Sequence, residues 1–297
     1  MRNSIFQDIR NIFQNPAERV TQIILLNVLV FITAHLVKAV AFIGGFSMPL
    51  LDFLALPANI KDFLLRPWTI ITYMFFHLGF FHILFNMLWL HWMGRIVSEY
   101  IGSQKFLSIY VLGGIAGGLL YLLFFNLFGN SSPSFYLNTR LLGASGAVMA
   151  VVFAAATLLP NYTMHLMFIG PVRLKYIALG ALVITTLVDF SVNTGGKLAH
   201  LGGAAFGFVF IKQLQKGNDW SKWFLVPFTK LQNLFKKKPK IKVKHKKSSS
   251  NSYTFHRKPT ENEQEIIDAI LDKIAKSGYD SLTQKEKDFL FRYSQKK

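Results

Sequence analysis

Runs of about twenty apolar residues recur along this chain of 297 residues, and they restrict its fold more than any other feature. A helix of that length crosses the ~30 Å hydrocarbon core of a membrane. Runs of this kind lie at residues 20–42, 68–92, 106–128, 142–159, 174–190 and 198–214. The sequence therefore predicts an all-α membrane protein with six transmembrane helices.

Basic residues indicate how these helices are oriented. The formal net charge is +18, with a dense lysine block at 236–247 behind the last span and Arg2, Arg10 and Arg19 before the first. Because positive residues concentrate on the cytoplasmic side, we predict a multi-pass protein of the inner (cytoplasmic) membrane with both termini in the cytoplasm. The lysine block favours contact with membrane lipid, and we expect no nucleic-acid binding.

The chain divides into four predicted parts. Thr260–Glu263 and Thr283–Glu286 have the pattern of helix capping boxes, and Gly278 between them can end a helix. These signals predict a helical hairpin, too short to hold a core alone, whose partner the sequence does not identify. The parts are a cytoplasmic segment (1–19), a six-span domain (20–214), a basic cytoplasmic linker (215–258) and the small hairpin tail (259–297).

Polar side chains stand at the heads of two spans and inside a third. Ser145 opens the fourth span within Leu-Leu-Gly-Ala-Ser-Gly-Ala, and His200 opens the sixth. In the predicted topology both fall in the outer half of the membrane, together with His77 and His82. Ionisable groups are costly in a membrane and usually functional there, so these residues are candidates for a site.

The residue types suggest nucleophilic catalysis. A serine hydroxyl becomes a good nucleophile when a base takes its proton, and histidine suits that task near neutral pH. Ser145 and His200 form the candidate pair. His82 and Asn86, four residues apart on one helix face, can donate hydrogen bonds to an oxyanion, as can the Ser145 N–H at a helix N-terminus. A Gly-Ala-Ser sequence alone is more often a packing face.

Small residues surround both members of the pair. Gly143 and Gly146 flank the serine, and Gly203 and Gly207 follow the histidine in a Gly-xxx-Gly pattern. Small faces let membrane helices approach closely, which would bring the two side chains together. The chain has no cysteine, which excludes disulfides and Cys-ligated zinc, and we expect no metal and no cofactor.

Taken together, the motifs resemble those of the rhomboid family of intramembrane serine proteases, and bacterial members with a C-terminal helical extension in particular. The matching pieces are His77-(x)4-His82-(x)3-Asn86, Gly143-Ala-Ser145-Gly146 and Ala199-His200-Leu-Gly-Gly203-(x)3-Gly207, in the expected order. The resemblance implies a Ser145–His200 dyad and an oxyanion hole with His82 and Asn86. His77 and the glycines would support this site, and residues 44–67 would form the family's interfacial loop.

The implied activity is that of a serine endopeptidase that cuts transmembrane segments of other membrane proteins near the outer face, where helices unwind easily and a small residue precedes the cut. Met149 stands where many relatives carry an aromatic residue that stacks on the histidine. The Trp-Arg pair of some relatives' first loop is absent. No carboxylate partner for His200 is evident, since Asp189 ends the fifth span.

Two other functions stay open at this stage. A catalytically silent rhomboid-like protein would bind membrane helices without cutting them, although such proteins generally lack the serine or the histidine. A transporter or channel would use the histidines as a proton or metal path, and would place them at several depths along one pore.

Overall fold

The computed structural model describes residues 5–128, 139–167, 169–187, 194–226 and 261–294. The chain forms two compact units, Met1–Lys237 and Lys238–Lys297. The lysine block at 236–247, Asp189 and Thr260 lie outside the described residues. The four-part division of the chain stays a prediction.

Helices make up most of the first unit. In chain order they are α1 (Ile5–Gln14), α2 (Arg19–Ile43), α3 (Leu50–Leu54), α4 (Ile60–Leu65), α5 (Thr69–Thr72), α6 (Phe80–Ile101), α7 (Ser103–Phe128), α8 (Ser145–Leu158), α9 (Leu174–Leu187), α10 (Thr194–Gln215) and α11 (220–226). Short 3-10 turns at Pro16–Glu18 and Tyr73–Phe75 precede α2 and follow α5. Strands β1 (Leu56–Pro57) and β2 (Arg140–Leu141) pair with each other, as do β3 (Thr163–Leu166) and β4 (Gly170–Arg173).

The prediction of a mostly helical membrane protein is confirmed, but the count of six spans is not. Two described helices, Pro16–Ile43 and Ser103–Phe128, are long and apolar enough to cross a membrane, with mean hydropathies of 2.3 and 2.0. The bent pair formed by α5 with its turn and α6 counts as a third if taken as one span. Helix α8 is apolar but only 14 residues long, which is about 21 Å and shorter than the hydrocarbon core.

The second predicted span is broken rather than continuous. The segment Thr69–Phe75 meets α6 at an angle of 96°. Before α6, Gly79 has an extended backbone and no side chain to cap the helix. The break carries His77, whose fully buried ring accepts a hydrogen bond from a distant part of the chain. The helix is therefore interrupted at a point where its residues make tertiary contacts. The hydropathy of the sequence does not indicate this break.

The connection between α2 and α5, predicted as an interfacial loop, contains ordered structure. Its strand β1 pairs antiparallel with β2, with Leu56 opposite Leu141 and Pro57 opposite Arg140. The Asn126 side chain donates to the Ala58 carbonyl at 2.9 Å. Since β2 ends just before Gly143, this connection is tied to the segment that leads into α8.

Glycines allow the backbones of α7, α8 and α10 to touch. A Cβ added at Gly146 would lie 3.1 Å from the Ala199 carbonyl oxygen, and one at Gly117 would lie 2.6 Å from the same atom. A Cβ at Gly203 would overlap the Gly146 carbonyl, and one at Gly207 would overlap the Ala150 carbonyl. The residues that follow Ser145 and precede His200 are therefore in direct backbone contact.

The second unit is a pair of helices, α12 (Glu261–Ser277) and α13 (Gln284–Ser294). Gly278 follows α12 with a positive φ of 76°. The Glu286 carboxylate accepts hydrogen bonds from the Thr283 N–H at 2.6 Å and from its hydroxyl at 2.8 Å, which confirms that capping box. Ile267 and Ile270 are buried, whereas Ile266 and Leu271 are exposed, because one partner helix covers only part of the apolar surface of α12.

Candidate active site

A cavity of about 440 Å³ opens between α6, α8, α9 and α10. Ser145 from α8 and His200 from α10 both line it, together with His82 and Asn86 from α6. Residues more than one hundred positions apart thus meet at one cavity. The remaining lining residues are Phe81, Phe85, Trp89, Val148, Met149, Val152, Ala181, Ile184 and Thr185.

Ser145 is the first residue of α8 and is half-buried. At this position its backbone N–H has no partner within the helix and is free to serve a ligand. The preceding turn requires glycine at 143, where φ is +108° and the N–H donates to the Tyr73 carbonyl at 2.9 Å. A Cβ at Gly143 would also lie 2.6 Å from Cε1 of the His82 ring. The His82 ring therefore packs against the backbone of Gly143, two residues before Ser145 in the chain.

His77 supports this turn without lining the cavity. Its Nε2 accepts a hydrogen bond from the Ala144 N–H at 3.2 Å. A ring nitrogen that accepts from an N–H carries no proton itself, so the ring proton is assigned to Nδ1. The sequence had indicated His77 as a supporting residue, and the structure shows which atom it contacts.

Asn86 makes one short hydrogen bond and one long contact with other residues of the protein. Its Nδ2 donates to the His82 carbonyl at 2.8 Å and lies 3.5 Å from His77 Nε2. A side-chain amide has two N–H groups, and His77 Nε2 already accepts from Ala144. The contact of the second N–H with His77 is therefore weak, and this N–H is the Asn86 donor that can turn to a ligand, because the Asn86 side chain also lines the cavity.

His200 lies in the second turn of α10 and is half-buried. Its neighbour Ala199 packs against Gly146, which follows Ser145. The Nδ1 atom of His200 is buried and makes no hydrogen bond to any residue that the structure describes. Asp189, the carboxylate considered in the sequence analysis, lies outside the described residues.

Several lining residues had not been predicted. Phe81, Phe85 and Trp89 repeat every four residues, so they form an aromatic stripe on one face of α6 that the sequence does contain. Ala181, Ile184 and Thr185 come from α9, a largely apolar helix in which the sequence does not mark the face toward the cavity. Met149, one turn after Ser145, is 7% exposed and lines the cavity. The walls of this cavity are therefore largely apolar.

The fold and this cavity define a membrane protein of a known class. A rhomboid domain matches residues 65–216, slightly more than half of the chain. The chain therefore belongs to the rhomboid family. Residues 255–296 match a second family, of unknown function (DUF6576).

Named relatives share the rhomboid region. The chain is 34% identical over 161 residues to RHOMBOID-like protein 12, mitochondrial, of Arabidopsis thaliana, covering 51% of this chain and 48% of that protein. It is 30% identical over 141 residues to Rhomboid protease GluP of Bacillus subtilis, covering 48% and 25%. It is 26% identical over 163 residues to Rhomboid-like protease 1 of Toxoplasma gondii, covering 52% and 51%. The chain thus spans about half the length of these relatives, or less.

Proposed function

We propose that this protein is an intramembrane serine endopeptidase that hydrolyses transmembrane segments of other membrane proteins near the outer face. The observation that carries the proposal is that Ser145 and His200 line one cavity with the donors His82 and Asn86. Membership of the rhomboid family supports it, and two relatives bear the word protease in their names.

In the first half of the reaction, Ser145 Oγ attacks the scissile carbonyl carbon while the His200 imidazole takes the hydroxyl proton. The carbonyl oxygen becomes an oxyanion, which accepts hydrogen bonds from an Asn86 N–H, the Ser145 N–H and the His82 ring. The intermediate then collapses. The peptide C–N bond breaks, and His200 gives its proton to the leaving amine.

In the second half, water attacks the acyl group on Ser145 while His200 takes a proton from that water. The same three donors hold the second oxyanion. When the ester bond breaks, His200 returns the proton to Ser145 Oγ and the new carboxyl end is released. The cycle uses two side chains for proton transfer and needs no cofactor.

The proposed substrates are helices of other membrane proteins. The apolar walls formed by Phe85, Trp89 and Ile184 suit a hydrophobic segment, and the polar groups at one end suit a single unwound peptide bond with a small residue before it. We place the protein in the inner membrane with six spans and both termini cytoplasmic. In that topology α8 and α10 start near the outer face.

The proposal is tested with the full-length protein in liposomes and a labelled transmembrane reporter. The wild type should cleave the reporter and react with a fluorophosphonate probe, and Ser145→Ala and His200→Ala should do neither. Ser108→Ala is the matched control, because Ser108 is a buried serine on α7 that bonds only the Gln104 carbonyl among the contacts described. Cleavage that survives Ser145→Ala contradicts the proposal.

The same experiment addresses the catalytically silent alternative. A protein of that kind would bind the reporter helix equally well as wild type and as Ser145→Ala, with no cleavage and no probe labelling in either. Probe labelling of the wild type that depends on both Ser145 and His200 excludes it.

A further inference from the structure

Helix α1 presents an apolar face that is exposed to its surroundings. Phe6, Ile9, Ile12 and Phe13 lie within about a third of the helix circumference, while its polar residues occupy the other side. Phe6, Ile9 and Phe13 are 84%, 41% and 48% exposed. Such a continuous apolar strip marks an interaction surface.

The end of α1 is fastened to the start of α2. Gln22, on the first turn of α2 and only 6% exposed, donates to the carbonyls of Ile12 at 2.7 Å and Asn15 at 2.8 Å. Its side-chain oxygen accepts from Arg19 at 2.6 Å. These bonds satisfy carbonyl groups that a helix leaves without partners at its C-terminus. Helix α1 therefore leaves the first span in a fixed direction.

Contacts place this junction at one end of the apolar helices. The Ser103 hydroxyl at the start of α7 donates to the Pro16 carbonyl at 2.8 Å. Lys105 forms an ion pair with Asp219, which follows α10, at 3.6 Å. Trp223 on α11, close behind, is 79% exposed. Exposed tryptophan is typical of the boundary between membrane and water, so this end of the bundle lies at that boundary.

We propose that α1 is an interfacial membrane anchor, with its apolar face immersed in the headgroup and acyl boundary of the leaflet where α2 begins. The occupant is lipid, because α1 is fastened to α2, a helix apolar enough to span a membrane whose side chains are largely exposed, such as Leu29 at 59% and Leu36 at 61%. An amphipathic helix of this kind sinks about 5–10 Å below the headgroups. Asp8 and Arg10 offset each other, so apolar burial drives the contact and uncharged lipid suffices.

The absence of cysteine from the chain allows a direct test. Ile9→Cys and the matched control Asn11→Cys, two residues away on the polar face, each carry an environment-sensitive fluorophore in the full-length protein. The protein is reconstituted in phosphatidylcholine vesicles with spin-labelled acyl chains. We expect blue-shifted emission and strong quenching by the spin-labelled lipid at position 9, and quenching by a water-soluble agent at position 11.

A second pair, Phe13→Cys and Gln14→Cys, repeats the comparison should a position 9 variant fail to fold. Equal access of the water-soluble agent to both faces overturns the proposal. Energy transfer between labelled copies, together with loss of quenching by the spin-labelled lipid at position 9, also overturns the proposal. The occupant of the α1 face would then be a second chain. The outcome is independent of whether the protein cleaves a reporter.

Discussion

The Ala144 N–H donates a hydrogen bond to His77 Nε2 at 3.2 Å, which joins the break before α6 to the turn before the candidate nucleophile. His77 is fully buried. The position of Ser145 therefore depends on a side chain that does not itself line the cavity.

His77→Ala should lower stability and activity together. The variant leaves the Ala144 N–H buried without its acceptor, which costs about 1–3 kcal/mol, and it loosens the turn that carries Ser145. We expect a fall in kcat with a smaller change in KM, measured with a transmembrane reporter, and a lower midpoint of thermal unfolding in detergent. His91→Ala, at an exposed position on α6, is the control. Equal effects of the two variants would contradict the assigned role.

Comparing Gly143→Ala with Gly217→Ala separates the effect of backbone strain from the effect of a contact with His82. Gly143 and Gly217 both have positive φ, at 108° and 88°, but a Cβ at Gly217 meets nothing within 4 Å. Both alanine variants should lose roughly 1–2 kcal/mol from the backbone conformation. Only Gly143→Ala should also displace the His82 ring and abolish cleavage. Full activity in Gly143→Ala would show that the ring position does not matter.

Asn86→Ala should reduce kcat by about 10²–10³-fold if the Asn86 side chain donates to the oxyanion. The matched control is Asn27→Ala, because Asn27 Nδ2 donates to the carbonyl four residues before it, at 2.9 Å, as Asn86 does at 2.8 Å. Both variants lose that bond, and only Asn86→Ala loses a donor in the cavity. Steady-state cleavage kinetics distinguish them, and equal kcat values would remove Asn86 from the proposed oxyanion hole.

Gly203→Ala should separate α8 from α10. The added methyl group would overlap the Gly146 carbonyl, so the two backbones must move apart. We expect reduced thermal stability in detergent and loss of fluorophosphonate labelling. Gly180→Ala on α9, where a Cβ meets nothing within 4 Å, should be neutral or slightly stabilising, since alanine favours a helix over glycine.

The capping box of the tail should weaken in acid. The hydrogen bond from Lys273, followed by those from Thr283, lowers the pKa of Glu286 from 4.5 to about 2. A carboxylate whose pKa is lowered by folding stabilises the fold fully above its unfolded pKa. That contribution is lost as the pH falls from about 4.5 to about 2. The Thr283 amide resonance of the full-length protein should titrate in this range, and Glu286→Gln should abolish the titration.

Sequence patterns located the long helices closely because a membrane span has a required length. The span predicted at 20–42 is α2 at Arg19–Ile43, and that predicted at 106–128 lies within α7 at Ser103–Phe128. The same length criterion missed the break before α6. His77 lies outside a helix because it accepts a hydrogen bond from Ala144, which is 67 residues away in the sequence. A hydropathy window of about twenty residues does not include such a partner.

The polar residues of the candidate site could be predicted from the sequence, whereas the apolar residues that line its cavity could not. Costly groups such as His82 and His200 are conspicuous in an apolar run. The contribution of Thr185 from α9, and the pairing of Leu56 with Leu141, depend on which faces meet in space. The amphipathic helix α1 was not predicted either, because the search for membrane spans selects apolar runs of about twenty residues and α1 has only 10 residues.

Both α6 and α8 begin at the cavity, with His82 in the first turn of one and Ser145 at the start of the other. The aligned peptide dipoles of a helix place partial positive charge at that end. Two such ends converging on one cavity create an electric field that attracts negative charge before any substrate arrives. The scaffold thereby favours a carbonyl oxygen that is acquiring electrons over one that is neutral.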